Sequence, residues 1–203
     1  MSRYWSDLAA SLVPYVPGEQ PKDQQYVKLN TNENPYPPSP KVLEAIREAA
    51  NGDLRLYPDP TCSALARKIA AYYGVSPDQV FIGNGSDEIL GFAFAAFFSP
   101  SREPILFPDI TYSFYKVYAG LYGIPYRTVP LDEEFRVPLE AFDAPNGGIV
   151  VPNPNAPTAR YVETERFRGV LERNADSVVI IDEAYIDFGG QSAVGMIDRY
   201  PNL

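Results

Sequence analysis

Residues 177–188 read SVVIIDEAYIDF. Val178, Val179, Ile180 and Ile181 form a β-branched run, the pattern of a strand buried on both faces of a parallel sheet. Asp182 and Glu183 end it abruptly. In open α/β sheets, ligand-binding side chains gather at the carboxyl ends of strands. Three readings follow for that end. It is a solvated acidic turn, a magnesium-holding carboxylate pair of a nucleotide hydrolase, or a cofactor-binding aspartate with a tyrosine, Asp182 and Tyr185. The second needs a phosphate loop of the form G-x-x-x-x-G-K-[ST], and no Gly-Lys pair occurs in the chain.

Working outward, short apolar runs alternate with helical patterns. Strands are expected at Val80–Gly83, Pro104–Phe107, Ile124–Val129 and Gly148–Val151, with Phe135–Val137 a further candidate. Helices are expected over 2–12, from Pro40 to Ala50 with Ser39 as cap, from a Thr61 cap to Tyr73, and from Ile89 to Phe98. Two more are expected around Phe114–Leu121 and over Glu163–Arg173. This alternation argues for a mostly parallel α/β sheet flanked by helices. Ligand-type sequences follow four of the strands. After Val80–Gly83 comes Asn84-Gly85-Ser86-Asp87-Glu88, a glycine turn opening a helix. That arrangement either cups a phosphate on free N–H groups or is an ordinary cap by Ser86 or Asp87. It lacks the third glycine of a dinucleotide fingerprint, where Glu88 stands.

Composition narrows the chemistry. The 203 residues contain no histidine, which excludes Ser-His-Asp and Cys-His catalysis and His-based metal sites within the chain. The net charge of −9 argues against nucleic acid or an anionic membrane as partner. No apolar run has the length of a membrane span. The single cysteine, Cys62, forms no internal disulfide and reads as packing. With no basic-then-apolar pattern at the N-terminus, a cytoplasmic setting is expected. Prolines at 35, 37, 38 and 40, next to Asn30, Asn32 and Asn34, mark an extended, turn-rich arm.

Six stretches, in order, carry a resemblance: LNTNENPYPPSP, LRLYPDP, FIGNGSDEIL, PDITYSFY, VPNPNAPT and VIIDEAYIDF. Together they resemble the fold-type I pyridoxal-phosphate enzymes, and within them the histidinol-phosphate aminotransferase family, from about Tyr15 onward. The resemblance implies a three-layer large domain over residues 39–203, preceded by an arm over 1–38 that closes over substrate. It implies pyridoxal 5'-phosphate as cofactor. The reaction would be transamination of histidinol phosphate with 2-oxoglutarate, in a homodimer.

By the same resemblance, Asp182 pairs with the pyridinium N–H, Tyr185 bonds the ring's phenolic oxygen and Tyr112 stacks on the ring. Gly85, Ser86 and Asp87 hold the cofactor phosphate. Tyr57 reaches the neighbouring subunit's cofactor, while Tyr15 and Asn34 close over the substrate. Two positions depart from the family. Ala156 stands where an asparagine is usual, with Asn155 the candidate replacement, and Ala159 stands where a glycine is usual. The family's Schiff-base lysine falls past Leu203, as does the small C-terminal domain. The chain alone is therefore expected to be a truncated, inactive form. The alternatives are a phosphothreonine decarboxylase or aromatic aminotransferase of the same fold, or a non-catalytic binding module.

Overall fold

The computed structural model describes residues 3–12, 18, 19, 23 and 26–203. The chain divides into two compact units, Met1–Ser63 and Ala64–Leu203.

The first unit contains helices α1 (Asp7–Ser11) and α2 (Pro40–Ala49) and a 3-10 turn, Gly52–Arg55. Ser6 starts α1 by accepting from Ala9 N, so this helix is shorter than the expected 2–12. Ser39 caps α2 as expected, with Pro40 in its first turn, where a missing N–H costs nothing. The apolar stripe of α2, Val42, Leu43 and Ile46, is exposed. The expected Thr61 cap is replaced by Asp59. Its carboxylate accepts from Thr61 N at 3.0 Å and Ser63 N at 2.7 Å, and from both hydroxyls. Those donors, the Ser63 hydroxyl foremost, hold the Asp59 carboxyl well below the usual carboxylate range. Cys62 is exposed and takes a left-handed φ of 47°, so it is a turn residue and not packing.

The second unit is built on four parallel strands. In chain order its elements are α3 (Ser63–Tyr73), α4 (Gly85–Phe97), β1 (Ile105–Pro108) and α5 (Phe114–Tyr122). They continue with β2 (Tyr126–Val129), β3 (Ile149–Pro152), α6 (Phe167–Arg173) and β4 (Val179–Asp182). The strand order is β2-β1-β3-β4, all parallel. Each near-continuous apolar run splits by the pleat. Leu106, Ile149, Val151 and Val179 pack on one face with Phe167, Val170 and Leu171 of α6. Ile105, Phe107 and Val150 pack on the other with Leu90 and Phe94 of α4 and Tyr115 and Ala119 of α5. The result is three layers, helix, sheet and helix.

Two expected strands are absent. Residues 80–83 join no ladder, although Val80 is extended, and Phe81 is 70% exposed. At 135–137 the chain turns instead. Asp132 Oδ1 accepts from Glu134 N and Arg136 N, and Phe135 sits at φ 60°.

The chain enters β3 at a tight approach. A Cβ on Gly147 would lie 2.1 Å from the carbonyl oxygen of Glu103, beside the hydrogen bond from Gly147 N to Pro104 O. Backbone on both sides leaves no flexible atom to yield. Gly147→Ala is expected to lower stability by about 2 kcal/mol, read as a reduced urea midpoint at unchanged slope. A midpoint equal to wild type would show that the β1–β3 entry relaxes freely.

Candidate functional site

The strand order fixes where a site can form. From β1 the chain moves outward to β2, then returns past β1 to β3 and continues to β4. The two directions part between β1 and β3, and a crevice opens outside the carboxyl ends of strands at such a switch point. A cleft of about 280 Å³ lies there. Four segments line it: Asn84–Asp87 at the start of α4, Tyr112 after β1, Pro152 ending β3 with Pro154 and Ala156 beyond it, and Asp182 ending β4 with Ala184 and Tyr185 beyond it.

The α4 end is built for an anion. Gly85 takes φ +71°, a conformation that strains any side chain, and starts the helix four residues before the expected Ile89. Glu88, at the missing third glycine, reaches back to accept from Asn84 N at 2.7 Å. Asn84 holds the N-cap position without a side-chain cap bond, and Gly85 N donates to Gly83 O at 3.2 Å; neither Ser86 nor Asp87 caps the helix, and the first-turn N–H groups have no intrahelical acceptor. The Asp87 carboxylate accepts from the Tyr112 hydroxyl, and Tyr118 Oη donates to Asp87 O at 2.8 Å. Burial, with the Asp87 charge next, pushes the Tyr118 hydroxyl up to about 12.

The acidic pair ending β4 divides its work. Glu183 is structural: it accepts from Ser192 Oγ and Ala193 N, both at 2.6 Å, and so pins the 3-10 turn Ala193–Met196. Asp182 lines the cleft. Its Oδ2 accepts from Tyr115 Oη at 2.7 Å and its Oδ1 from Ala184 N at 3.1 Å. Two donors leave acceptor capacity on a carboxylate, which has about four lone-pair sites.

Of the expected residues, Gly85, Ser86, Asp87, Tyr112, Asp182 and Tyr185 meet in this one cleft. Asn155 does not join them. It is 1% exposed, with Nδ2 donating to Ile110 O and Thr158 Oγ1 and Oδ1 accepting from Thr111 Oγ1, all at 3.0 Å. It clamps the loop that carries Tyr112, and Ala156 stands at the cleft in the family asparagine's place. Tyr57, fully exposed, and Asn34, which accepts from Tyr36 N, belong to the first unit. Tyr15 lies outside the described residues. Tyr115 and Tyr118 fall in the helix expected around Phe114–Leu121, and their hydroxyls reach Asp182 and the Asp87 carbonyl. Their spacing of three on α5, which stacks both rings on one side, was the available signal. Among the described residues no cluster of acidic or cysteine side chains suits a metal ion, and no helix is long and apolar enough to cross a membrane.

Comparison with known proteins bears on the family and the fold. The chain is 61% identical over its whole length to the histidinol-phosphate aminotransferase of Clostridium beijerinckii, covering 56% of that protein. It is 57% identical over its whole length to that of Pseudomonas entomophila, covering 58% of it. The chain thus spans a little over half the length of these curated relatives. Among solved structures, the histidinol-phosphate aminotransferase from Sinorhizobium meliloti in complex with pyridoxal-5'-phosphate superposes with a TM-score of 0.73. The identity there is 28%, over 80% of this chain and 45% of that one. The family model for aminotransferase class I and II matches residues 24–203. A match of that extent, on a fold of the expected topology, places the chain: it belongs to the aminotransferase class I and II family.

Proposed function

We propose that this chain carries the cofactor cleft of a pyridoxal-phosphate-dependent histidinol-phosphate aminotransferase. The observation that carries the reading is one cleft, at the sheet's switch point, holding both a helix N-terminus and the Asp182 carboxylate. An anion and a protonated ring nitrogen are the two ends of pyridoxal phosphate, and apolar Pro152, Pro154, Ala156 and Ala184 complete the lining. The residues present therefore fit the cofactor.

When bound, pyridoxal phosphate supplies the electron sink that amino-group exchange requires. The chain's residues bind and orient it. N–H groups of Gly85, Ser86 and Asp87 hold the phosphate. Asp182, an acceptor with two sites already filled, takes the ring N–H and favours its protonated form. Tyr185 donates to the phenolic oxygen. The Tyr112 ring, anchored through its hydroxyl to Asp87, covers the ring face. Asn155 acts at one remove, by fixing the Tyr112 loop. Among the described residues no lysine lines the cleft. Tyr57 serves a partner's cofactor in a homodimer, and Tyr15 and Asn34 close over substrate. The reaction pairs histidinol phosphate with 2-oxoglutarate, in cytoplasmic histidine biosynthesis; identities near 60% to proteins of that name support it.

The test supplies the complete gene product with pyridoxal phosphate, histidinol phosphate and 2-oxoglutarate, and follows glutamate. Turnover with histidinol phosphate is expected to exceed that with aromatic amino acids by at least about a hundredfold in kcat/KM, as a phosphate-binding site would enforce. Preference for an aromatic amino acid, or carbon dioxide release from phosphothreonine, would overturn the substrate. Absence of any turnover would favour a binding module.

A further inference from the structure

Tyr115 is fully buried, and its ring is enclosed by aromatic neighbours. Phe94 stacks at 6.3 Å between centroids, Phe107 lies tilted at 5.8 Å and Tyr112 meets it edge-on at 5.7 Å. A phenylalanine would fill that space. The one polar atom of the side chain crosses from this apolar cluster to a carboxylate that lines the cleft, at 2.7 Å. Buried hydroxyls are costly unless bonded. Here the bond goes to the group that the proposed function makes central. Asp182 is thereby gripped from two separate elements, one donor on each oxygen: α5 through Tyr115 Oη and the turn after β4 through Ala184 N.

We propose that Tyr115 is a positioning residue for cofactor binding: its hydroxyl fixes the rotation of the Asp182 carboxylate that receives a protonated pyridine nitrogen. The inference rests on the cleft being the pyridoxal-phosphate site. Two physical points support it. Burial, with the Asp182 charge next, holds the phenol well above its ordinary range, so it remains a donor across neutral pH. The donor arises in a packed core and therefore loses little freedom when the bond forms, which is the condition for an oriented site.

The experiment measures binding of pyridoxamine phosphate to the complete gene product by calorimetry, with inorganic phosphate as the control ligand. Pyridoxamine phosphate carries the ring nitrogen and the phosphate but no aldehyde, so no lysine adduct enters the measurement. Wild type, Tyr115→Phe, Asp182→Ala and the double variant form a cycle. Tyr115→Phe is expected to weaken pyridoxamine phosphate about tenfold while leaving inorganic phosphate unchanged, the size of one charge-assisted hydrogen bond lost at one remove. In the Asp182→Ala background the same change is expected to cost less than about twofold, because its target is gone. A full tenfold loss in that background, equal weakening of inorganic phosphate, or wild-type binding by Tyr115→Phe would each overturn the proposal. A different result would mark failure of the cleft reading itself. There, wild type binds pyridoxamine phosphate no better than phosphate, or Asp182→Ala leaves its binding unchanged, and this inference falls with it.

Discussion

Asp182→Ala in the complete gene product is expected to lower kcat/KM for transamination by about a thousandfold, the usual scale for removing one preorganised electrostatic partner of a reacting group. Two effects must be separated. The first is loss of the partner for the ring nitrogen. The second is local: the buried Tyr115 hydroxyl loses its acceptor, which costs about 1–3 kcal/mol of stability. Stability alone does not explain such a rate loss while the protein remains folded at assay temperature. The double variant Asp182→Ala, Tyr115→Phe makes the separation. It removes the orphaned hydroxyl and should regain most of the lost stability while regaining none of the activity. Thermal or urea unfolding reports the first quantity and glutamate formation the second. Near-normal turnover in folded Asp182→Ala would remove Asp182 from the site, and activity recovering in step with stability would make its role purely structural.

The same aspartate shows what was legible in the sequence. Runs such as Ile105–Phe107, Ile149–Val151 and Val179–Ile181 are apolar on both pleat faces, and each became a parallel strand within one residue of its expected bounds. Their alternation with helices gave the layers, and strand ends then located Asp182, Tyr112 and the α4 turn together. Legibility failed where a partner decides the outcome. Val80–Gly83 has strand composition, but a strand is defined by its ladder, and none forms there. Thr61 has cap chemistry, yet the Asp59 carboxylate reaches more donors. Asn155 has the amide of a ligand, but burial commits it to Ile110, Thr111 and Thr158. Tyr115 falls in the helix expected around Phe114–Leu121, and its ring is fully buried. Its hydroxyl finds an acceptor 67 residues along the chain, a contact set by folding and by no local pattern.

Phe94→Ala is expected to cost about 3–5 kcal/mol of stability, the range for truncating a fully buried phenylalanine. Phe94 lies on the inner face of α4, where its ring packs against Phe98 at 5.1 Å, Tyr118 at 5.5 Å and Tyr115 at 6.3 Å. The neighbours are poorly placed to collapse into the gap. Tyr115 is held by Asp182 and Tyr118 by the Asp87 carbonyl, so closing the cavity would stretch hydrogen bonds at the cleft. That coupling places the expected cost toward the upper end of the range, and it predicts a second effect. Because Tyr118 ties α5 to the first turn of α4, loosening it should weaken binding of inorganic phosphate as well as pyridoxamine phosphate, by about the same several-fold factor for each. Phe94→Leu, which keeps most of the volume, should cost about 1 kcal/mol and leave both affinities near wild type. Urea unfolding and calorimetry measure the two effects. A loss below about 1 kcal/mol for Phe94→Ala would show that the cluster closes around the gap. Full stability loss with unchanged phosphate affinity would show that the α4 turn holds its shape without α5.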